Sequence, residues 1–177
     1  MAKIIYREGC EGQNKLSCIE GIEIDLLNGQ KALIYPKYSE EKLLEREQVT
    51  KWAARELSEM EALKVEDTIS ETVALVNFYS PAADWVFKFS TKDGRDFCLP
   101  SLLAAMETQY QKEDIDALAE TIEGADLLRD FVGIIWSCSR RGSGNEWVAS
   151  WSGYASGGCS SFAYLAVPTI LYREEEL

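Results

Sequence analysis

The chain has 177 residues, of which 46% are hydrophobic and 27% charged, a composition typical of one globular domain with a buried core. Its 30 acidic and 18 basic side chains give a formal net charge of −12, which argues against a nucleic acid or an acidic membrane surface as a partner. The sequence contains no histidine. Ser-His-Asp units, Cys-His units and His-ligated zinc are therefore excluded, and any catalysis would have to use carboxylates, tyrosine, lysine or cysteine.

The first eight residues contain only two consecutive apolar residues before charge returns, so they lack the apolar core of a signal peptide. No stretch approaches the ~18 apolar residues that span a bilayer. We therefore expect a soluble cytoplasmic protein.

Residues 21–35 predict an N-terminal β-hairpin, because isoleucine and leucine at alternate positions are separated by acidic residues. Asn28-Gly29 at its centre is typical of a type I′ turn. We expect residues 1–38 to form a β-rich appendage and residues 39–177 the main domain.

The next stretch, from about Glu41 to Lys64, has apolar side chains at helical spacing, with Ser39 as the expected N-cap. We interpret its stripe as the core face of an amphipathic helix. The stripe consists of Val49, Trp52, Ala53, Leu57, Met60 and Leu63.

Strand signals follow. Residues 69–79 form an apolar β-prone run that Ser80-Pro81 ends. Trp85, Phe87 and Phe89 then alternate with other residues, and Asp93-Gly94 is typical of a further hairpin turn.

Two helical segments come next. Ser101 is the expected N-cap of a helix through Tyr110, and a second helical stretch covers about residues 114–131 with an interruption at Gly124. The acidic residues of the second stretch have helical spacing rather than the loop spacing of an EF-hand, so we interpret them as a solvated face.

The last third predicts strands at about 134–139, 146–151 and 162–167, joined by loops at 140–145 and 152–158. The glycine- and serine-rich loops lack the lysine and following Ser/Thr of a phosphate-binding loop. No cofactor is predicted.

The five cysteines, at positions 10, 18, 98, 138 and 159, include no C-x-x-C pair. We interpret them as reduced, either small hydrophobic side chains or partly exposed thiols. Arg140 and Arg141 close to Cys138 would favour a thiolate. However, a phosphatase-type loop requires an arginine six positions after the cysteine, where this chain has Gly144. Cys138 is therefore assigned a structural role, and no metal site is predicted.

Four short motifs occur in order in the second half of the chain: Asp96–Ser101, Trp136–Ser139, Glu146–Val148 and Leu165–Pro168. They resemble the Asp-Trp-Arg-Leu-Pro-Thr, Trp-Ser-Ser-Thr, Ala-Trp-Val and Val-Arg-Pro motifs of a family of bacterial and phage C-type-lectin-like domains of unassigned function. That family is related in fold to formylglycine-generating enzymes. Cys98 and Val167 stand where the family has arginine.

The resemblance covers roughly residues 40–172 and implies an α+β, C-type-lectin-like fold: a small twisted antiparallel sheet with two or three helices, here with the N-terminal β-hairpin added. In this fold, loops between the late strands form a variable face. The late region supplies aromatic, arginine and asparagine side chains, the types that serve as binding anchors. The ligand-binding candidates are Arg140, Arg141, Asn145, Trp147, Trp151, Tyr154 and Tyr164.

Trp147 and Trp151 would share one strand face with Ala149, as part of the core or as an aromatic platform. The core is favoured because large exposed aromatic patches are uncommon on monomers.

The preferred function is a non-enzymatic recognition module that binds a protein or glycan through residues 139–161. Asn145-Glu146 is at most a fragment of a metal site, so calcium-dependent sugar binding is not expected. One alternative is a structural component of a phage or mobile-element assembly, in which the chain would be oligomeric. Another is a cysteine- or carboxylate-based enzyme, in which Cys138 and Cys159 meet across adjacent strands.

Overall fold

The computed structural model describes residues 1–42, 57–77, 79–89, 94, 96–131, 133–142, 145–150, 155–159 and 163–173, and within 140–150 and 156–159 it describes the backbone. In chain order the strands are β1 (Lys3–Tyr6), β2 (Ile19–Asp25), β3 (Lys31–Ile34), β4 (Ser39–Lys42), β5 (Ile134–Gly142), β6 (Asn145–Ser150), β7 (Ala155–Cys159), β8 (Ala163–Ala166) and β9 (Thr169–Tyr172). The helices are α1 (Glu59–Ala62), α2 (Thr68–Asn77), α3 (Pro81–Phe87), α4 (Leu102–Tyr110) and α5 (Lys112–Ala119).

The predicted α+β class is confirmed. The described residues form two sheets and five α-helices, more than the single sheet with two or three helices that we expected. The first sheet has the strand order β1-β2-β3-β9 and is antiparallel throughout. The second has the order β4-β8-β5-β6-β7, in which only the β5–β8 pair is parallel.

The predicted N-terminal hairpin exists as β2 and β3, and it is joined to the C-terminal end of the chain. Leu33 of β3 stands opposite Ile170 of β9. Buried side chains of the hairpin, including Ile22 and Ile24, share one core cluster with Ala105 of α4. The hairpin is thus continuous with the rest of the fold through one sheet and one core. Division of the chain into folding units at residue 38 stays a prediction.

The turn of this hairpin is not type I′. Gly29 has φ +82°, but Asn28 is not in the left-handed region. The amide of Gly29 donates to the carbonyl of Leu26 at 3.1 Å, and the amide of Leu26 donates to the carbonyl of Gln30 at 2.9 Å. This pattern is a three-residue loop, in which a type I turn is followed by a left-handed glycine.

The predicted helix from residue 41 is wrong at its start. Ser39 lies in strand β4, not at an N-cap, and its hydroxyl donates to Oε1 of Glu41 at 2.9 Å. Among the described residues of this stretch, a helix begins at Glu59, where Ser58 and Glu61 form a capping box. Val49, Trp52 and Ala53 lie outside the described residues. Met60, expected in the core, is 64% exposed, whereas Leu57 and Leu63 are half-buried.

The run at 69–79 and the Trp85–Phe89 alternation, predicted as strands, are helices α2 and α3. In α2 the buried hydroxyl of Thr72 accepts a hydrogen bond from the amide of Leu99 at 3.2 Å. In α3, Ser80 accepts from the amide of Ala83 at 3.1 Å and Pro81 occupies the first turn. Ser80-Pro81 is therefore the start of a helix as well as the end of the preceding one. Gly94 has φ +80°, and Asp93 of the predicted turn lies outside the described residues.

The predictions for residues 101–131 are confirmed in outline. Ser101 caps α4, with its hydroxyl 3.2 Å from the amide of Ala104. Helix α5 ends at Ala119, before Gly124 at φ +88°, and a 3₁₀ turn covers Leu128–Asp130. The acidic face is solvated except for Asp116, whose carboxylate is buried and accepts hydrogen bonds from the amides that begin this 3₁₀ turn.

The late region has more strand than expected. Strand β5 continues to Gly142 and β6 begins at Asn145, so most of the predicted 140–145 loop is strand. Residues 155–159, predicted as part of a turn, are strand β7, and β9 follows Pro168. Among the described residues, no helix is long and apolar enough to cross a membrane.

Candidate binding surface

Two of the sequence motifs lie in direct contact. The amide of Cys138 in β5 donates to the carbonyl oxygen of Pro100 at 2.8 Å. The buried hydroxyl of Ser139 accepts from the amide of Leu102 at 3.3 Å and donates to the carbonyl of Ala62 at 3.2 Å. The start of α4, the end of α1 and the middle of β5 are therefore held together by one serine and one backbone bond.

The closing motif joins the same structure. Cys98 and Thr169 exchange two backbone hydrogen bonds, at 2.8 and 2.9 Å, as an isolated antiparallel bridge. The carbonyl of Pro168 accepts from the amide of Tyr35 at 2.9 Å. The Leu-Pro-Ser segment thus connects β5 on one side to the last strand on the other, which gives these motifs a structural role.

Strand β5 is irregular where it contacts Pro100. Trp136 pairs with Val148 and Arg140 with Glu146, so three residues of β5 stand opposite the single residue Trp147 of β6. The Cys138 amide is turned to Pro100, which takes it out of the ladder with β6. Bulges of this kind bend a strand and change the direction of its side chains, and they are enriched next to functional sites.

The candidate binding residues fall around this irregular hairpin. Arg140 and Arg141 lie at the end of β5, and Asn145 begins β6 opposite Gly142. Trp147 stands opposite Gly157 of β7. The register thus brings four of the seven candidates to the closed end of the β5–β6 hairpin. Trp151 and Tyr154 lie outside the described residues.

Tyr164 is separate from this group. It lies on β8, on the other side of β5. Its half-buried ring packs against Trp136 with centroids 4.6 Å apart, and Trp136 is fully buried and donates through Nε1 to the carbonyl of Glu41 at 2.6 Å. The structure therefore gives Tyr164 a packing role beside a core tryptophan.

Two of the cysteines, Cys98 and Cys138, are buried. Burial raises the pKa of the Cys98 thiol to about 12, against the opposing effect of its hydrogen bond with Thr72, so this thiol is protonated at neutral pH. Cys138 is fully buried.

The alternative in which Cys138 and Cys159 meet across adjacent strands is wrong, because β6 separates their strands. Two strand spacings put β5 and β7 about 10 Å apart, farther than a disulfide spans.

Sequence reasoning missed the polar contacts that shape this region. Ser139 and Thr72 each satisfy a backbone amide next to the Leu-Pro-Ser motif. A serine or threonine within an apolar segment was the available signal, because a buried hydroxyl needs a partner, but the partner is distant in sequence.

Comparison of the chain with models of protein families, with curated proteins and with solved structures finds no match. Within the part of the chain that the structure describes, no group of three His, Cys, Asp or Glu residues is placed to hold a metal ion.

Proposed function

We propose that this chain is a non-enzymatic recognition module with a C-type-lectin-like fold, and that it binds a protein or glycan through residues 139–161. The observation that carries the proposal is the register of β5 and β6. It gathers Arg140, Arg141, Asn145 and Trp147 within a few residues of one hairpin end.

Charge supports the same region. The chain has a formal net charge of −12, yet two consecutive arginines stand at this hairpin end. Arginine and tryptophan are among the side chains that contribute most to binding interfaces. An anionic or hydrogen-bonding group on a protein or a glycan would meet locally favourable charge here, in a chain that otherwise repels it.

Three properties of the chain's potential nucleophiles and bases favour recognition over catalysis. The sequence has no histidine. The Cys98 thiol is protonated at neutral pH because burial raises its pKa. Polar groups of the Leu-Pro-Ser and Trp-Ser-Cys-Ser motifs form hydrogen bonds within the fold.

The test is a binding screen with the full chain on glycan and protein arrays. Trp147→Ala is compared with Tyr110→Ala, a control that removes an 86% exposed aromatic ring from α4. We expect Trp147→Ala to lose at least about tenfold in affinity and Tyr110→Ala to bind as the unchanged chain does.

Each variant's unfolding midpoint is measured alongside, because a lowered midpoint for Trp147→Ala would place this side chain in the core. In that case the affinity of the double variant Arg140→Ala/Arg141→Ala for the array ligand tests the proposal instead. An array without a hit would contradict the proposal. A large, concentration-independent oligomer in light scattering would favour the alternative of a phage or mobile-element assembly component.

A further inference from the structure

Helix α2 exposes two aliphatic side chains while it buries two threonines. Its buried residues are Thr68, Thr72 and Leu75, whereas Ile69 and Val73 are 57% and 41% exposed. Residues four apart on a helix lie one above the other, so these two aliphatic side chains form a continuous outward stripe.

The orientation of α2 is fixed from inside. The Thr72 hydroxyl accepts the amide hydrogen of Leu99, and both residues are fully buried. Turning the helix to bury Ile69 and Val73 would break this bond and leave a buried amide without a partner. The free-energy cost of that unsatisfied amide opposes the gain from burying the two aliphatic side chains. The outward stripe is therefore a fixed property of the fold.

Further apolar side chains are exposed nearby in sequence. Of the seven large hydrophobic side chains that are exposed in the described part of the chain, four lie between residues 60 and 79. They are Met60, Ile69, Val73 and Tyr79. Of these, Ile69 and Val73 are neighbours on one helix face, and contiguous exposed apolar side chains are typical of an interaction site.

Tyr79 lies at the C-terminal end of α2, two residues after Asn77. It has φ +59°, a left-handed conformation that favours glycine, and its ring is 75% exposed. The amide of Tyr79 donates to the carbonyl of Val76 at 2.8 Å and the amide of Ser80 donates to the carbonyl of Leu75 at 3.1 Å, so the left-handed residue belongs to the C-terminal cap of α2. This cap leaves the Tyr79 side chain exposed beside the helix end.

Charge indicates the chemistry of the partner. The segment 57–79 carries five acidic residues and one lysine. Glu59, Glu61, Glu66 and Asp67 are exposed, and Glu66 pairs with Arg173 at 2.7 Å. An apolar stripe within an acidic surround complements a segment with apolar and basic side chains.

We propose that the outward face of α2, with Ile69 and Val73 at its centre and Tyr79 at its end, binds a basic amphipathic helix of a partner protein. A second copy of this chain would bring the same acidic surround against itself, and an anionic lipid surface would meet like charge. This surface is distinct from the β5–β6 hairpin end, so either proposal can fail without the other.

The test uses the full chain and a synthetic peptide of lysine and leucine in which all leucines lie on one helical face. Fluorescence anisotropy measures its affinity, beside a peptide of the same composition in scrambled order. We expect the patterned peptide to bind at least about tenfold more tightly than the scrambled one, and its affinity to fall with added salt.

Ile69→Ser/Val73→Ser should reduce that affinity about tenfold. The matched control, Leu27→Ser/Tyr110→Ser, removes two side chains that are 87% and 86% exposed elsewhere, and it should bind unchanged. Both variants alter exposed residues, and circular dichroism checks that they remain folded.

Equal binding of the two peptides would overturn the proposal, since attraction would then be charge alone. No binding, or equal loss in both double variants, would do so as well. A dimer in light scattering that Ile69→Ser/Val73→Ser dissociates would assign the face to a second copy instead.

Discussion

The backbone amide of Cys138 donates a 2.8 Å hydrogen bond to the carbonyl oxygen of Pro100. This bond joins the middle of β5 to the residue before the α4 cap, and it lies beside the bulge that sets three β5 residues against Trp147. Ser139 completes the junction by bonding to both α1 and α4. These short motifs thus have a structural role, because their contacts hold the strand that carries the proposed binding residues.

Ser139→Ala tests this junction. The substitution removes one acceptor and one donor from a fully buried position and leaves the Leu102 amide and the Ala62 carbonyl without this partner. We expect a loss of about 2 kcal/mol in the free energy of unfolding, measured by urea denaturation. Ser17→Ala, at an exposed serine, is the control and should change stability by less than about 0.5 kcal/mol. Equal stabilities for the two variants would contradict the assigned role.

Removal of two tyrosine hydroxyls should change stability in opposite directions. The Tyr38 hydroxyl is buried and has no hydrogen-bond partner among the protein groups that the structure describes. Burial, together with the nearby carboxylates of Asp116 and Asp126, raises the pKa of this group and keeps it neutral. Tyr38→Phe should therefore leave stability unchanged or increase it by about 1 kcal/mol.

Tyr172→Phe is the matched comparison, because the Tyr172 hydroxyl donates to the buried carboxylate of Glu23. Loss of this hydrogen bond should lower the free energy of unfolding by about 2 kcal/mol, as is usual for a hydrogen bond to a charged group. Thermal unfolding of both variants measures the difference. A Tyr38→Phe variant that is clearly less stable than the unchanged chain would show that this hydroxyl has a partner after all.

Tyr79→Gly should stabilise the fold. Tyr79 has φ +59° and glycine adopts this region without the steric cost that other residues have there. We expect a gain of about 1 kcal/mol in unfolding free energy. Tyr110→Gly, at an equally exposed tyrosine in the last turn of α4, should instead lose about 0.5–1 kcal/mol. A destabilised Tyr79→Gly variant would mean that the tyrosine ring itself contributes to folding.

Asp67 gives a prediction about pH. A hydrogen bond from the backbone amide of Ser70 to its carboxylate, 2.9 Å long, lowers the pKa of Asp67 below its ordinary 3.8. A carboxyl group whose pKa is lower in the folded state stabilises the fold above the ordinary pKa, and this contribution is lost as pH falls through the folded pKa. Asp67→Ala should cost about 1 kcal/mol at neutral pH, as for other helix N-caps.

The difference between Asp67→Ala and the unchanged chain should begin to shrink below about pH 4, where the unfolded chain takes up the proton, and it should be lost below the lower pKa of the folded chain. Urea unfolding at several pH values measures it. A stability difference between the two chains that stays constant as pH falls would contradict the hydrogen-bonded cap.

Local signals in the sequence predicted some elements well. The alternation at residues 21–35 predicted the β2–β3 hairpin, and Pro100-Ser101 predicted the start of α4, because capping and alternation depend on neighbours in the chain. The turn type was missed, since Asn-Gly is compatible with more than one turn and the side chain of Asn28, which accepts from the Gln30 amide, favours the observed one.

Elements decided by distant contacts were not predicted. Helix α2 has a β-prone composition, yet its threonine at position 72 is anchored by an amide 27 residues away. The same reason explains why the binding candidates were only partly located. Their register follows from the pairing of β5 with β6 and β7, whereas Tyr164 is held by the packing of Trp136, which no local pattern reveals.

The most direct test of the account is the affinity of the full chain for its strongest array ligand, measured by calorimetry for two charge-matched double variants. Arg140→Ala/Arg141→Ala removes the basic pair at the hairpin end, and Lys42→Ala/Lys88→Ala removes two exposed lysines elsewhere. The account predicts at least about a tenfold loss for the arginine variant and less than about a twofold change for the lysine variant. Equal affinities for the two variants would contradict binding through residues 139–161.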